Sequence, residues 1–556
     1  MVRLATAVNR GRLPFLLVIM AACASKDTTP AAPEAVPPYL TVFLVDGLVQ
    51  DVFARELAAG RLPNIDTMVR EGTVIENGIS SFPSMTAYGF YPFITGEDAA
   101  ASGVLGLRWL DRGRGTGIFR NYVGRTYKLM NEDLKAEPRT IFEVAGSLTQ
   151  TFQSYMNRGA TERPMAGIRF SLAKYRDAWW LGRLLSGLGP SVSPTFADVE
   201  GELVDTAIAA LERKPKVQWI TFTSPDGYAH VHGLGDAYAD RLHEVDALIG
   251  RYREASRKLG LEEDRVYAVL TDHGMAQINV NLDLSTAMAE TLGLAMFRGD
   301  ATEVWSTSLD TTLADFAEVD GVIGTNGNTM CHLYLRRDGD GFARPFMAGE
   351  LRSYAPPTAT ARGMADKTVD VIEGLRRLHG IELVVARGIP GTIELFTAEG
   401  EGSIRIGSDD SYAYAARGID PLGYAGEPST SALMDGQAHS AAHWLAASLA
   451  GNFPDALHRL GTLFADVNAG DIVVTSIPGY DLVSDYEMVV GAYRGGHGGL
   501  RADQLRVPWV LAGSGVRKRG HVEAARAEDV GVTLRLLTGL PVEPNVHGRA
   551  IDGVLR

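Results

Sequence analysis

Tyr39-Leu40-Thr41-Val42-Phe43-Leu44-Val45-Asp46-Gly47 is a near-continuous apolar run that stops at a carboxylate and a glycine. A strand with one wet face alternates polar and apolar residues. This one does not, which predicts a strand covered on both faces, as in a parallel sheet. Gln218 to Thr223 and Val266 to Thr271 repeat the pattern, and they too run into acid-bearing turns, Pro225-Asp226-Gly227 and Thr271-Asp272-His273-Gly274. Helical patterns fall between and around them, at Gln50 to Ala59, Asp198 to Glu212 and Ala237 to Leu259. Strands alternating with helices predict an α/β fold with a mostly parallel sheet sandwiched by helices. Asp471 to Ser476 and Val507 to Leu511 read as late strands, and Val530 to Leu540 as a helix stopped by Pro541.

In open parallel sheets ligands collect beyond the carboxyl ends of the strands. Asp46, Asp226 and Asp272 should therefore converge although they are far apart in the chain. One Asp-Gly after a strand is usually only a turn; three of them with histidines attached carry more weight. His230 follows Asp226 by four residues, His273 adjoins Asp272, and His497 stands in Gly495-Gly496-His497-Gly498-Gly499, where the glycines let the backbone approach closely. Asp oxygen and His nitrogen together suit borderline divalent metals. Three of each suffice for two ions with open positions, an arrangement suited to phosphoryl displacement. A hydroxyl nucleophile is expected in Ser80-Ser81-Phe82-Pro83-Ser84-Met85-Thr86, where Pro83 favours a turn into a helix over Ala87 to Ile94, and where both Ser84 and Thr86 qualify.

The ordered set of motifs resembles the alkaline phosphatase superfamily, and most closely its type I phosphodiesterase/nucleotide pyrophosphatase branch. Asp46-Gly47 comes first, then Phe82-Pro83-Ser84-Met85-Thr86 and Thr95-Gly96, then Asp226-x-x-x-His230-x-x-Gly233, Thr271-Asp272-His273-Gly274-Met275 and Gly496-His497-Gly498-Gly499. The closing run Leu534 to Pro541 resembles the family's last helix. The resemblance spans roughly residues 39 to 550. It implies Thr86 as nucleophile, because the family's Thr-Gly follows the nucleophile by the nine residues that separate Thr95 from Thr86. It implies two divalent ions, zinc in most relatives, one on Asp226, His230 and His497 and one on Asp46, Asp272 and His273, with Thr86 between them. His230 is preferred to its neighbour His232 by its spacing from Asp226 and from Gly233. The implied reaction hydrolyses a small phosphoester through a phosphothreonyl intermediate.

Three departures bear on substrate. Thr86-Ala87-Tyr88-Gly89 replaces the usual Thr-Phe-Pro-Asn. Leu107 stands where many relatives carry a phosphate-binding Asn, and Arg108 is a candidate replacement, against the ordinary reading of a surface arginine. Lys174-x-Arg176 is similar to a pair that some monoesterase relatives use on a doubly charged phosphate. The expectation is a phosphodiester or pyrophosphate substrate, with phosphomonoester hydrolysis on the same site as the alternative. Leu107, Trp109, Tyr88 and the region after Gly274 are candidates for the shelf that a diester's second substituent needs. Sulfatase activity is disfavoured because Met85 stands where that chemistry needs Arg. Phosphoethanolamine transferases share the metal set but normally carry several membrane spans, which this chain lacks. A non-catalytic tethered binding lipoprotein is the rival from another class, opposed by the intact ligand set.

Bulk properties agree. The net charge of −14 argues against a nucleic-acid partner. Arg3, Arg10 and Arg12 followed by the apolar run Leu13 to Ala22, too short to span a bilayer, read as a signal peptide over residues 1–22. Cys23 after small residues is the expected lipidation site, which would anchor an exported protein at a membrane in the bacterial periplasm or outer membrane. Residues 23–38, rich in Ala and Pro, form the expected tether, and residues 39–556 the catalytic domain. Part of the long stretch from Gly274 to His497, within about 275–470, is expected to cap the site and part to rejoin the main sheet. The remaining cysteine, Cys331, reads as a buried core thiol in a strand-like run; a Cys331–His332 metal site is the less favoured alternative.

Overall fold

The computed structural model describes residues 38–556 apart from 114–117, 124–126, 128, 167, 179–183, 185, 189–192, 299–315, 360–366 and 484–491. The signal segment, the tether and Cys23 lie outside the described residues.

Seven strands form the main sheet: β1 (Tyr39–Val45), β2 (Thr73–Ile79), β3 (Thr149–Phe152), β4 (Val217–Phe222), β5 (Arg265–Leu270), β6 (Arg506–Gly513) and β7 (Gly520–Arg526). Their spatial order is β7-β2-β6-β5-β1-β4-β3. All neighbours pair in parallel except β6, which runs antiparallel to both β5 and β2. The apolar run read in β1 is explained by two cores. Leu40, Val42 and Leu44 enter one hydrophobic cluster while Phe43 and Val45 enter another, on the opposite face. Val217 and Trp219 against Ile220 and Phe222 divide β4 in the same way. Each such side chain stabilises the fold by roughly 1.5–3 kcal/mol on burial.

The helices that matter here are α1 (Tyr91–Thr95), α2 (Ile168–Ala178), α3 (Phe196–Ala209), α4 (Ser224–His232), α5 (Asp236–Lys258), α6 (Ala456–Ala465) and α7 (Ala527–Leu537). Thr195 and Asp198 form a capping box that starts α3. Leu242, Val245 and Ile249 supply the buried stripe of α5.

The region after β5 differs from expectation in one respect. Among the described residues, none of its strands between Ala276 and Ser476 joins the main sheet. Nine strands between Met296 and Ser476 make a second sheet, antiparallel throughout except for one edge pair. Cys331, Leu333 and Leu335 face one core, whereas Met330 and Tyr334 face the cluster that also covers the main sheet, α6 and α7. The second sheet buries both of its faces without pairing to the first, so sequence pattern alone could not tell the two apart. Cys331 is buried and unpaired in any disulfide, as expected. His332 beside it is engaged with the Leu105 carbonyl and the Gly470 amide, which leaves it no free nitrogen for a metal.

Candidate active site

The carboxyl ends of the adjacent strands β5, β1 and β4 bring the three acid-bearing turns together. Asp46 follows β1, Asp272 and His273 follow β5, and Asp226 lies in the first turn of α4 just beyond β4. These turns lock to one another. Thr271 Oγ1 accepts from the Leu48 amide at 3.0 Å and donates to the His273 carbonyl at 2.9 Å, and the Tyr238 hydroxyl donates to the Gly47 carbonyl at 2.8 Å. Gly47, at φ +67°, has its empty side-chain position 3.2 Å from the Asp226 Cβ, so a larger residue there would push that carboxylate away.

Two clusters result. In the first, His230 Nε2 lies 3.3 Å and His497 Nε2 3.6 Å from Asp226 Oδ1. In the second, His273 Nε2 lies 3.3 Å from Asp46 Oδ1 and 3.6 Å from Asp272 Oδ2. The clusters adjoin, since the rings of His273 and His497 stack at 3.8 Å. Each histidine commits its Nδ1 to a backbone carbonyl: His230 to Gly495 at 2.9 Å, His273 to Gly274 at 2.8 Å and His497 to Ser84 at 2.9 Å. All three Nε2 atoms therefore point inward with a free lone pair.

The electrostatics call for cations. Asp226 Oδ1 and both Asp272 oxygens are buried and meet no hydrogen-bond donor. Burial, and then the charges of Asp272 and Asp226, push the Asp46 carboxyl well above its ordinary range. Burial foremost takes Asp272 up to about 8. Burial, and then the charge of His273, hold His497 well below the usual imidazole value. Unpartnered carboxylate oxygens and inward-facing imidazole nitrogens make a donor set that fits zinc or another borderline divalent ion in each cluster.

The segment from Phe82 to Thr86 separates the two candidate hydroxyls. Ser84 Oγ is spent on the His497 loop, donating to the Gly499 carbonyl at 2.8 Å and accepting from the Gly498 amide at 3.1 Å. Thr86 Oγ1 instead lies 3.2 Å from both Asp46 Oδ1 and His273 Nε2 and is only half-buried. The expected helix over Ala87 to Ile94 is replaced. Ala87 adopts φ 69° and ψ −54°, and the Tyr88 amide donates back to the Thr86 carbonyl at 2.8 Å, a strained γ-turn costing roughly 1–3 kcal/mol. A short 3-10 turn and α1 follow. Gly89 has a physical reason, since a Cβ there would sit 2.8 Å from the Asp272 carbonyl oxygen.

The substrate candidates divide. Lys174 on α2 lies close enough to His230 for its charge to oppose protonation of that imidazole. Arg176 turns elsewhere and donates to the Ser193 carbonyl at 3.0 Å. Arg108 is not a surface residue. It is buried, and its backbone is tied through both amide and carbonyl to the side chain of Asn326. Trp109 and Tyr88 are also buried and supply no open shelf, whereas Leu107 is half-buried. Spacing gave no signal for several supporting residues. Tyr493 packs its ring 4.8 Å from that of His230. Glu200 on α3 accepts from the Ser224 amide and hydroxyl, both at 2.8 Å, and so anchors the start of α4.

Residues 40–308 match the family model for type I phosphodiesterase / nucleotide pyrophosphatase. Murine ectonucleotide pyrophosphatase/phosphodiesterase 5, solved as an inactive threonine-to-alanine variant in complex with AMP, is similar in fold at 12% identity, with a TM-score of 0.51, over 92% of this chain and 97% of that one. The human counterpart matches at 13% identity with the same TM-score and coverage. A search of curated protein sequences finds no match. Among the described residues no helix is long and apolar enough to cross a membrane.

Proposed function

We propose, because residues 40–308 match the family model for type I phosphodiesterase / nucleotide pyrophosphatase, that the protein belongs to that family and hydrolyses phosphodiester or pyrophosphate bonds with Thr86 as its nucleophile. The observation that carries the reading is the contrast between the two hydroxyls. Ser84 is consumed by backbone hydrogen bonds, while Thr86 stands half-buried between a carboxylate and an imidazole at 3.2 Å. Asp226, His230 and His497 would hold one divalent ion, and Asp46, Asp272 and His273 a second. When bound, such ions lower the cost of charge on the attacking and leaving oxygens. The γ-turn at Ala87 fixes the direction of the Thr86 hydroxyl before substrate arrives, so little ordering is left to the reaction itself. Attack by Thr86 Oγ1 on phosphorus, with loss of the hydroxyl proton, expels one alcohol or phosphate leaving group and leaves the rest of the substrate esterified to the threonine through phosphorus. Water then releases it as a phosphate monoester and restores the hydroxyl. The AMP bound to the murine relative supports a nucleotide-like substrate.

A second reading, phosphomonoester hydrolysis, is favoured by Lys174. A dianionic substrate needs an added cation, and this ammonium is within electrostatic reach of His230. An N-terminal lipid on Cys23 would hold either activity at a membrane surface. Cys23→Ser is then expected to move the protein from the membrane fraction to the soluble one.

The deciding measurement is turnover of bis-p-nitrophenyl phosphate against p-nitrophenyl phosphate, for the parent protein and for Thr86→Ala. Diester turnover that exceeds monoester turnover and falls at least about a thousand-fold in the variant is expected. Undiminished turnover in Thr86→Ala would sink the assignment of the nucleophile, and faster monoester turnover would select the second reading.

A further inference from the structure

A third group of imidazole and carboxylate side chains lies in a different part of the molecule. Asp98 caps the turn after α1, His458 lies on α6 and Glu528 opens α7. All three are buried, with side chains 6%, 2% and 1% exposed. His458 Nε2 is 3.7 Å from Glu528 Oε1 and 3.9 Å from Asp98 Oδ2, and neither His458 Nε2 nor Glu528 Oε1 has a hydrogen-bond partner. His458 Nδ1 is committed to the Asp410 carboxylate at 2.9 Å, which aims its Nε2 inward as the backbone carbonyls do for the three histidines of the active site.

We propose that Asp98 Oδ2, His458 Nε2 and Glu528 Oε1 bind a divalent cation of the zinc or manganese class, which ties α6 to α7 and to the segment behind α1. Donor atoms around a tetrahedral ion at about 2.0–2.2 Å stand some 3.3–3.6 Å apart. The observed separations of 3.7 and 3.9 Å are within a small closing movement of that figure. They are too long for an N–H···O bond, so a proton on Nε2 fills the gap poorly. Charge points the same way. Arg459 donates to Asp98 Oδ2 at 2.7 Å and pairs with Asp455 and Glu528, and Arg526 grips Asp455 at 2.6 and 2.7 Å. With Asp410 included, four carboxylates face two guanidinium groups, an excess of two negative charges that favours a cation on His458 Nε2, whether a proton or a metal. A cavity of about 540 Å³, lined in part by His458, Glu528, Asp410 and Arg526, gives an ion access. Asp98 Oδ2 serves both Arg459 and the ion through separate lone pairs.

Crystals of the full chain soaked in zinc, with anomalous data collected at the zinc edge, test this without any substitution. A peak within about 2.2 Å of His458 Nε2 is expected. Its absence, with Nε2 facing a water or Glu528 directly, overturns the proposal. Peaks at the two active-site clusters are scored separately. A peak at His458 with none at Asp226 or Asp46 would keep this site and remove the metal-dependent reading of function. In solution, zinc bound per chain is expected to fall by one in His458→Gln, with diester turnover within about two-fold of the parent. An unchanged zinc count in a folded His458→Gln protein would also overturn the proposal. Should that variant fail to fold, the crystal of the parent protein decides.

Discussion

The Asp46–Asp272–His273 cluster and the Asp98–His458–Glu528 cluster are both buried, yet their carboxylates are neutralised in opposite ways. Arg459 and Arg526 lie against the second, and their charges, with His458, outweigh burial and hold the Glu528 carboxyl below its usual range. No arginine or lysine forms an ion pair with the first among the described residues; burial foremost drives Asp46 and Asp272 upward, with repulsion from Asp272 and Asp226 on the one and from Asp226 on the other. The second cluster has resident guanidinium groups that offset part of its charge and tie the fold together. The first has none, and under the proposed function bound cations would meet all of its charge, so that it trades stability for a place where phosphate can be met.

That contrast breaks first under Arg459→Met. The change leaves Asp98, Asp455 and Glu528 short of a cation and is expected to cost about 3–5 kcal/mol of stability, read by denaturant titration. Asp272→Asn should do the reverse in chelator-treated protein above about pH 8 and raise the unfolding midpoint there, because it removes a buried charge that has no partner. If both variants destabilise equally, the two clusters are not different in kind.

The next effect is a pH dependence. Burial foremost raises Glu200 to about 7, against the 4.5 of a free carboxyl. The folded state therefore binds more protons than the unfolded one between those values. Stability from this group is fully present below about pH 4.5, is lost as pH rises to 7, and changes no further above that. Glu200→Gln should flatten this slope, by roughly 3 kcal/mol at most between pH 5 and 7.5, in parallel denaturation series.

Gly89→Ala comes third. Its Cβ would meet the Asp272 carbonyl at 2.8 Å and displace the turn that carries Asp272 and His273. Turnover is expected to fall by about a hundred-fold while the protein stays folded. The smallest effect sharpens the choice of substrate. Lys174→Ala should cut monoester turnover by about ten-fold and diester turnover by less than about three-fold, since only the dianion needs the extra charge. Equal losses would remove Lys174 from any role in selectivity.

Much of this was legible in the chain. The apolar runs of β1, β4 and β5 announce strands covered on both faces, and the acid after each marks the end at which a site forms. Asp46, Asp226, His230, Asp272, His273 and His497 could be picked out because strand ends and glycine-rich turns leave local marks. The second sheet was not legible as separate from the first, because strands buried on both faces read alike wherever they pair. Burial of Arg108, Trp109 and Tyr88 was also hidden, since a side chain's exposure depends on what the rest of the chain lays over it.

The sequence by itself determined the element types, the order of the motifs and the residue chemistry that a divalent ion would accept, all of which are local or periodic properties. The tertiary structure decided what surrounds the two hydroxyls, with Ser84 bonded to the loop of Gly498 and Gly499 and Thr86 beside Asp46 and His273. It also decided that Lys174 and Arg176 part company, and that Asp98, His458 and Glu528 meet at all. These are contacts between residues up to several hundred positions apart, and only the packed chain brings them within a few ångströms.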